Sequence, residues 1–184
     1  MELSSHIYPD GQFILYDQND SKRSSDPWAL PLSGVRKPFP LATTTFDEAL
    51  GQFSPDGRWV AYQSNESGLY EIYIKSFAGP DRSQPVSSGG GTGPRWSHDG
   101  KELFYIAADG NLMAAPIQIA GQTLKAGTPT ALFHAPILGG DQVAQQQQYA
   151  VAPDGNRFLI NTIADESATS PIIIVTNWAG ALKK

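Results

Sequence analysis

The chain has no cysteine in its 184 residues, which excludes disulfide bridges and thiolate metal sites. Histidine is also scarce, and the three positions, His6, His98 and His134, lie far apart without the spacing of metal ligands. A glycine-rich phosphate loop that ends in Gly-Lys-Ser/Thr is missing, as is the Gly-x-Ser-x-Gly turn of α/β-hydrolases. The sequence therefore predicts no metal site, no cofactor and no catalytic residue.

Long apolar runs and basic clusters are also missing. The longest apolar run, PIIIV, is far shorter than the ~20 residues of a membrane helix. The first residues, MELSSHIYPDG, have neither the basic nor the apolar part of a signal peptide. The net charge is −5 and the lysines and arginines are scattered, which argues against nucleic acid as a partner. We expect a soluble chain, as written, with no membrane insertion and no export address, and its compartment stays open.

One short pattern occurs four times. The segments IYPDGQFILY, FSPDGRWVAY, WSHDGKELFY and VAPDGNRFLI each place an Asp-Gly turn between two apolar runs. Asp before Gly can accept a hydrogen bond from its own turn, and Gly accommodates the turn's last position. The predicted structural turn residues are Asp10, Gly11, Asp56, Gly57, Asp99, Gly100, Asp154 and Gly155. The four glycines are 46, 43 and 55 residues apart, close to the ~40–50 residues of a four-stranded propeller blade.

Further strand-like segments complete each repeat. A third strand is predicted at PWALPL, LYEIYIKSF, NLMAAPI and SPIIIVTNW, and a proline-containing outer strand at KPFPL, SQPVS and PTALFHA. The fold class is therefore all-β. It is a β-propeller domain of four four-stranded blades, either a closed small ring or a partial propeller, with blades at about 1–46, 47–90, 91–143 and 144–184.

The last repeat has too few residues for an outer strand. Its open edge, from Pro171 to Trp178, is a candidate for self-association, because unpaired strand edges can pair with another chain.

The candidate binding residues are inner-strand positions. His6, Gln52, Arg95 and Ala150 each directly precede the apolar residue that opens the repeat, and three of them are polar. This contrast fits the wall of a central channel, and it fits a polar seam between blades equally well. We expect His6, Gln52 and Arg95 to face the channel, with a protein or small ligand at its mouth. The aspartates of the four turns could suggest a cation ring, but capping of the turns is the favoured interpretation.

The motifs FSPDGRWVAYQSNESG, GGGTGPRWSHDGKELFYIAADGNLMAAPI and YAVAPDGNRFLINT resemble TolB-like propeller repeats, the PD-motif relatives of WD repeats. Nearly the whole chain is similar to the C-terminal propeller blades of bacterial transmembrane serine/threonine protein kinases. The kinase domain and membrane helix of that family are absent here, and its ring usually has about six blades. The resemblance implies an extracytoplasmic location for a parent protein of this kind.

Three functional hypotheses remain at this point. The favoured one is a non-catalytic binding or scaffold module, such as the sensor propeller of a kinase-type receptor. The second is the propeller part of an enzyme such as a prolyl-oligopeptidase-like hydrolase, which rests on fold analogy alone. The third is a structural remnant of a longer protein.

Overall fold

The computed structural model describes residues 5–19, 25–42, 44–79, 82–137, 147–162 and 172–176. Within these ranges every regular element is a β-strand, and no helix is long and apolar enough to cross a membrane. The strands form four antiparallel sheets that follow one another along the chain.

The first two sheets are built in the same way, with four strands in chain order. Sheet 1 contains β1 (Ser5–Ile7), β2 (Phe13–Asn19), β3 (Ser25–Pro31) and β4 (Phe39–Pro40). Sheet 2 contains β5 (Glu48–Phe53), β6 (Trp59–Ser64), β7 (Glu71–Ser76) and β8 (Ser83–Pro85). The predicted outer strands are present but short, and their prolines lie at the sheet edge, where a missing N–H donor breaks no ladder.

The third sheet departs from the expected four strands. It contains β9 (Gly91–Trp96), β10 (Glu102–Ala107), β11 (Asn111–Ala120), β12 (Thr123–Ala126) and β13 (Thr130–His134). β11 is ten residues long, so its first part pairs with β13 and its second part with β12. The β11–β12 hairpin has no counterpart in the other described sheets, and the sequence analysis missed it.

The fourth sheet has three described strands, β14 (Tyr149–Val151), β15 (Arg157–Asn161) and β16 (Ile172–Thr176). Sheets pack in chain order, the first on the second, the second on the third and the third on the fourth. Among the described strands no extensive packing joins the fourth sheet back to the first, so no closed ring is seen. The expected all-β propeller of four repeats is confirmed as a partial propeller, and its last sheet has three strands within the described residues.

The core lies between the sheets. Trp59, Ile72 and Ile74 of sheet 2 pack with Trp96 and Leu103 of sheet 3. A second cluster joins sheets 3 and 4, and a third joins sheets 1 and 2. This arrangement explains why β5 and β6 are buried along their whole length: the second sheet is covered on both faces.

Candidate functional site

The four Asp-Gly turns have one geometry. The backbone N–H of each glycine donates to the carbonyl three residues earlier, at 2.8–3.0 Å, and each glycine has a φ of 69–75°. One carboxylate oxygen of each aspartate accepts the backbone N–H two residues later, at 2.9–3.1 Å. These contacts hold the pKa values of Asp56, Asp99 and Asp154 below the usual carboxyl value. The carboxylates are thus engaged in the turns, and no group of three or more metal-binding side chains occurs in the described residues.

The inner-strand positions named in the sequence share one register. His6, Gln52, Arg95 and Ala150 each pair with the residue four positions after the turn glycine of their own repeat. Equivalent side chains of successive sheets therefore lie at equivalent heights on the inner strands β1, β5, β9 and β14.

Three of these positions contribute hydrogen bonds between neighbouring sheets. The backbone N–H of Phe53 donates to Nδ1 of His6 at 3.2 Å, which joins sheet 2 to sheet 1. The indole N–H of Trp96 donates to the carbonyl of Gln52 at 3.2 Å. Nε of Arg95 donates to the carbonyl of Tyr149 at 3.3 Å, which joins sheet 3 to sheet 4. His6, Gln52 and Arg95 therefore each take part in a contact between neighbouring sheets, and the prediction that their side chains face a channel stays a prediction.

The charge of Arg95 influences the pKa of His6. Burial lowers the pKa of His6, and the positive charge of Arg95 lowers it further. A neutral imidazole has an acceptor nitrogen, in agreement with the N–H that Phe53 donates to Nδ1. Burial also lowers the pKa of Arg95, and none of the described carboxylates forms an ion pair with its guanidinium. The inner strands β1 and β9 thus carry a neutral histidine, His6, and a half-buried cation, Arg95.

The wall beside Arg95 is formed by sheet 4. The Tyr149 side chain is buried and its hydroxyl donates to the carbonyl of Gly93 at 2.8 Å, while burial raises the phenol's pKa well above its usual value. Gln147 lies near Gly93, and both polar atoms of its amide are enclosed without a hydrogen-bond partner in the described structure. Gln147 therefore has an unused donor and an unused acceptor near Gly93, two residues before Arg95 in the sequence.

A second type of inter-sheet contact was not predicted from the sequence. β5 and β9 each contain a bulge at Leu50 and Gly93, where φ is 57° and 64°. Oδ2 of Asp17 accepts the N–H of Leu50 at 3.1 Å, and Oε1 of Gln63 accepts that of Gly93 at 3.0 Å. Both acceptors stand six residues after the turn glycine of the preceding repeat. The signal was a polar residue directly after Tyr16 and Tyr62, and the third repeat lacks it because Ile106 follows Tyr105.

No protein-family model and no curated protein sequence matches the chain. Solved structures do resemble it. TolB from Acinetobacter baumannii superposes with a TM-score of 0.64 at 16% identity, covering 95% of this chain and 40% of TolB. The Cps50 (Swd1) β-propeller domain of Myceliophteria thermophila gives 0.59 at 12% identity, covering 94% of this chain and 58% of that one. A puromycin-hydrolyzing peptidase of Mycobacterium tuberculosis gives 0.61 at 13% identity, covering 97% and 29%.

The chain thus spans less than two thirds of each of these proteins, and identities this low establish the fold alone. A nutrient binding protein and a peptidase are both among the similar structures, which agrees with the general rule that function belongs to sites and not to folds. The resemblance to TolB-like repeats is confirmed at the level of architecture, and the described residues fold as part of a TolB-like β-propeller.

Proposed function

We propose that the chain is a non-catalytic binding module that recognises an anionic group of a protein or small ligand at its inner-strand face. Arg95 is the observation that carries this proposal, because it is a half-buried guanidinium that no described carboxylate neutralises. Nε is engaged by Tyr149, which fixes the side chain and leaves the terminal nitrogens as donors. A fixed guanidinium suits a carboxylate or phosphate group, which it binds through two parallel hydrogen bonds.

His6, Gln52 and Gln147 would complete this site. We propose that His6, Gln52 and Arg95 face the channel, as predicted from the sequence, and that Gln147, which was not among the predicted residues, lies beside them. Because the pKa of His6 is lowered, His6 is neutral and adds no second positive charge beside Arg95. The amide of Gln147 supplies a neutral hydrogen-bond donor. A sensor propeller of a kinase-type receptor remains the proposed setting, supported by the sequence resemblance alone.

The charge of Arg95 gives the first testable prediction. Immobilised wild-type protein is expected to retain members of a library of acidic peptides in 50 mM salt, and Arg95→Gln is expected to lose at least tenfold in affinity. Lys101→Gln is the matched control, because Lys101 is an exposed cation that pairs with Asp99 in the turn of the same sheet. Equal retention by wild type and Arg95→Gln would contradict the proposed role of the guanidinium.

The enzyme alternative is supported by likenesses to enzymes such as the peptidase and an oligogalacturonate lyase, and these likenesses extend to the propeller architecture only. No arrangement of nucleophile and base emerges among the described residues of the inner face. Turnover by the isolated chain that disappears in Arg95→Gln would favour this alternative over a binding module.

Self-association through the last sheet is a separate proposal. β16 pairs with β15 along one side, and no described strand pairs along its other side. We expect light scattering after size exclusion to give a mass near twice the 19.8 kDa of one chain, with dissociation on dilution. A monomer at every concentration would contradict the edge as a contact and the interpretation of the chain as an incomplete remnant.

A further inference from the structure

We propose that a second site, remote from the inner-strand face, binds a small organic acid with an aromatic body. It is a cavity of about 460 Å³ at the turn side of the second sheet, roofed by the hairpin of β11 and β12. This volume is within the range of about 300–1,000 Å³ that small-molecule sites occupy. We call it the hairpin cavity.

Three sheets contribute walls to the hairpin cavity. Sheet 1 supplies Tyr8, sheet 2 supplies Trp59 and Phe77, and the hairpin supplies Thr123 and Leu124. These walls are mainly apolar and aromatic. The floor of the hairpin cavity requires glycine at position 57, because a Cβ on Gly57 would lie 2.3 Å from the ring and hydroxyl of Tyr8. Flat aromatic walls of this kind favour a flat, apolar ligand body.

Both charged side chains that line the hairpin cavity are positive. Arg58 and Arg82 line it, although the chain as a whole carries a net charge of −5. Nε of Arg58 donates to Asp56 at 2.7 Å and Nη1 donates to the carbonyl of Gly121 at 2.9 Å, which leaves Nη2 as a donor. Arg82 is exposed and forms no ion pair with any of the described residues. A ligand carboxylate would complement this pair of guanidinium groups.

An unused donor in the wall is independent evidence for a polar ligand. Trp59 is 7% exposed, and its indole N–H has no acceptor within the part of the chain that the structure describes. An enclosed donor without an acceptor destabilises the folded state. We expect a ligand carboxylate oxygen that reached the indole N–H to supply the missing acceptor.

The hairpin itself supports the assignment. β12 is an addition to the repeat, and Leu124 anchors it in the cluster that contains Trp59 and Ile117. The carbonyl of Gly121 at its tip receives the hydrogen bond from Arg58, so the hairpin both closes the cavity and orients one of its cations. This extra strand therefore builds a site that the other three repeats lack in the described structure.

Isothermal titration calorimetry with indole-3-acetate tests the proposal, with neutral indole-3-acetamide as the comparison ligand. We expect saturable binding of the acid at submillimolar concentration and at least tenfold weaker binding of the amide. Arg82→Gln is expected to weaken binding of the acid five- to tenfold. Thr123→Trp, which fills the cavity from its rim, is expected to abolish it.

Arg157→Gln is the matched control, since Arg157 pairs with Asp154 in the fourth sheet much as Arg58 pairs with Asp56 in the second. It is expected to bind the acid as wild type does. Equal affinity for acid and amide, or undiminished binding by both Arg82→Gln and Thr123→Trp, would overturn the proposal. Absence of any heat up to 10 mM acid would overturn it as well. Because neither variant touches Arg95, these outcomes are independent of the inner-strand site.

Discussion

Glu48→Gln is expected to stabilise the protein above pH 7 and to remove a fall in stability between about pH 5 and pH 7. Glu48 opens β5 and is 1% exposed. Its Oε1 accepts hydrogen bonds from Thr44 at 2.5 Å and Ser64 at 3.2 Å, while Oε2 receives none from the described residues. Burial, together with the carboxyl of Asp26, raises the pKa of Glu48 to about 7.

The direction of the pH effect follows from proton binding. Burial and the neighbouring carboxyl of Asp26 both disfavour the ionised form of Glu48, so the folded chain retains the proton of Glu48 up to about pH 7. The unfolded chain releases it near 4.5, so the free energy of unfolding decreases as pH rises from about 4.5 to about 7 and is constant above. A shift from 4.5 to about 7 corresponds to at most about 3.5 kcal/mol, at about 1.4 kcal/mol per pH unit.

Urea denaturation at pH 5, 6, 7 and 8 measures this effect. Glutamine has the shape of the protonated acid and keeps a donor for Asp26, so the variant should match wild type at pH 5 and exceed it by about 1–3 kcal/mol at pH 8. Glu66→Gln is the control, because Glu66 is an exposed glutamate of the same sheet and should follow wild type at every pH. A constant difference between Glu48→Gln and wild type across the range would refute a titrating Glu48.

The four turns could be predicted from the sequence because a turn is a local structure. Asp56 and Gly57 satisfy the hydrogen bonds and the positive φ within four residues, so no distant contact has to be known. The strand order followed from the same repeats, since neighbouring strands joined by short turns pair in an antiparallel way. The resemblance to TolB-like repeats rested on these local features, and the superposition agrees with them.

The inter-sheet contacts could not be obtained in this way. The acceptor of the Leu50 N–H is Asp17, 33 residues earlier, and only the packing of two sheets brings the two together. Leu50 has a positive φ although it is not glycine, so its residue type does not indicate the bulge. At the equivalent position of the next repeat, Gly93 is the residue type that usually indicates a positive φ. A comparison of residues six positions after each turn glycine would have revealed Asp17 and Gln63.

The β11–β12 hairpin was missed for a different reason. No strand was predicted between NLMAAPI and PTALFHA, because residues of this segment such as Gln118 and Lys125 are polar and lack the strong apolar pattern of a core strand. The structure shows that one face of the hairpin is apolar, with Leu124 buried and its neighbours Thr123 and Lys125 exposed. The cavity beneath the hairpin and the orientation of Arg58 both depend on this extra strand, so the site could not be predicted from the sequence.

The second large effect is expected at the contact between the third and fourth sheets, where Phe158→Ala should destabilise the protein by about 3–5 kcal/mol. Phe158 lies on β15 and is fully buried. Its ring meets Phe104 edge-on, with centroids 5.0 Å apart at 83°, and Phe133 at 5.8 Å and 66°. Removal of the ring leaves a cavity between two rigid sheets and also abolishes both aromatic contacts.

The loss should appear first in the fourth sheet, because that sheet has a neighbour on one side only among the described strands. Hydrogen exchange of Phe158→Ala is expected to show faster exchange in β14 and β15 than in β6 and β10, and urea denaturation should give the overall loss. Leu159→Ala is the matched control, since Leu159 is the next residue, 52% exposed, and should cost less than about 1 kcal/mol. Uniform loss of protection in all sheets would show instead that the four blades unfold as one unit, whereas a loss equal to that of Leu159→Ala would contradict the aromatic contact as the main link to the fourth sheet.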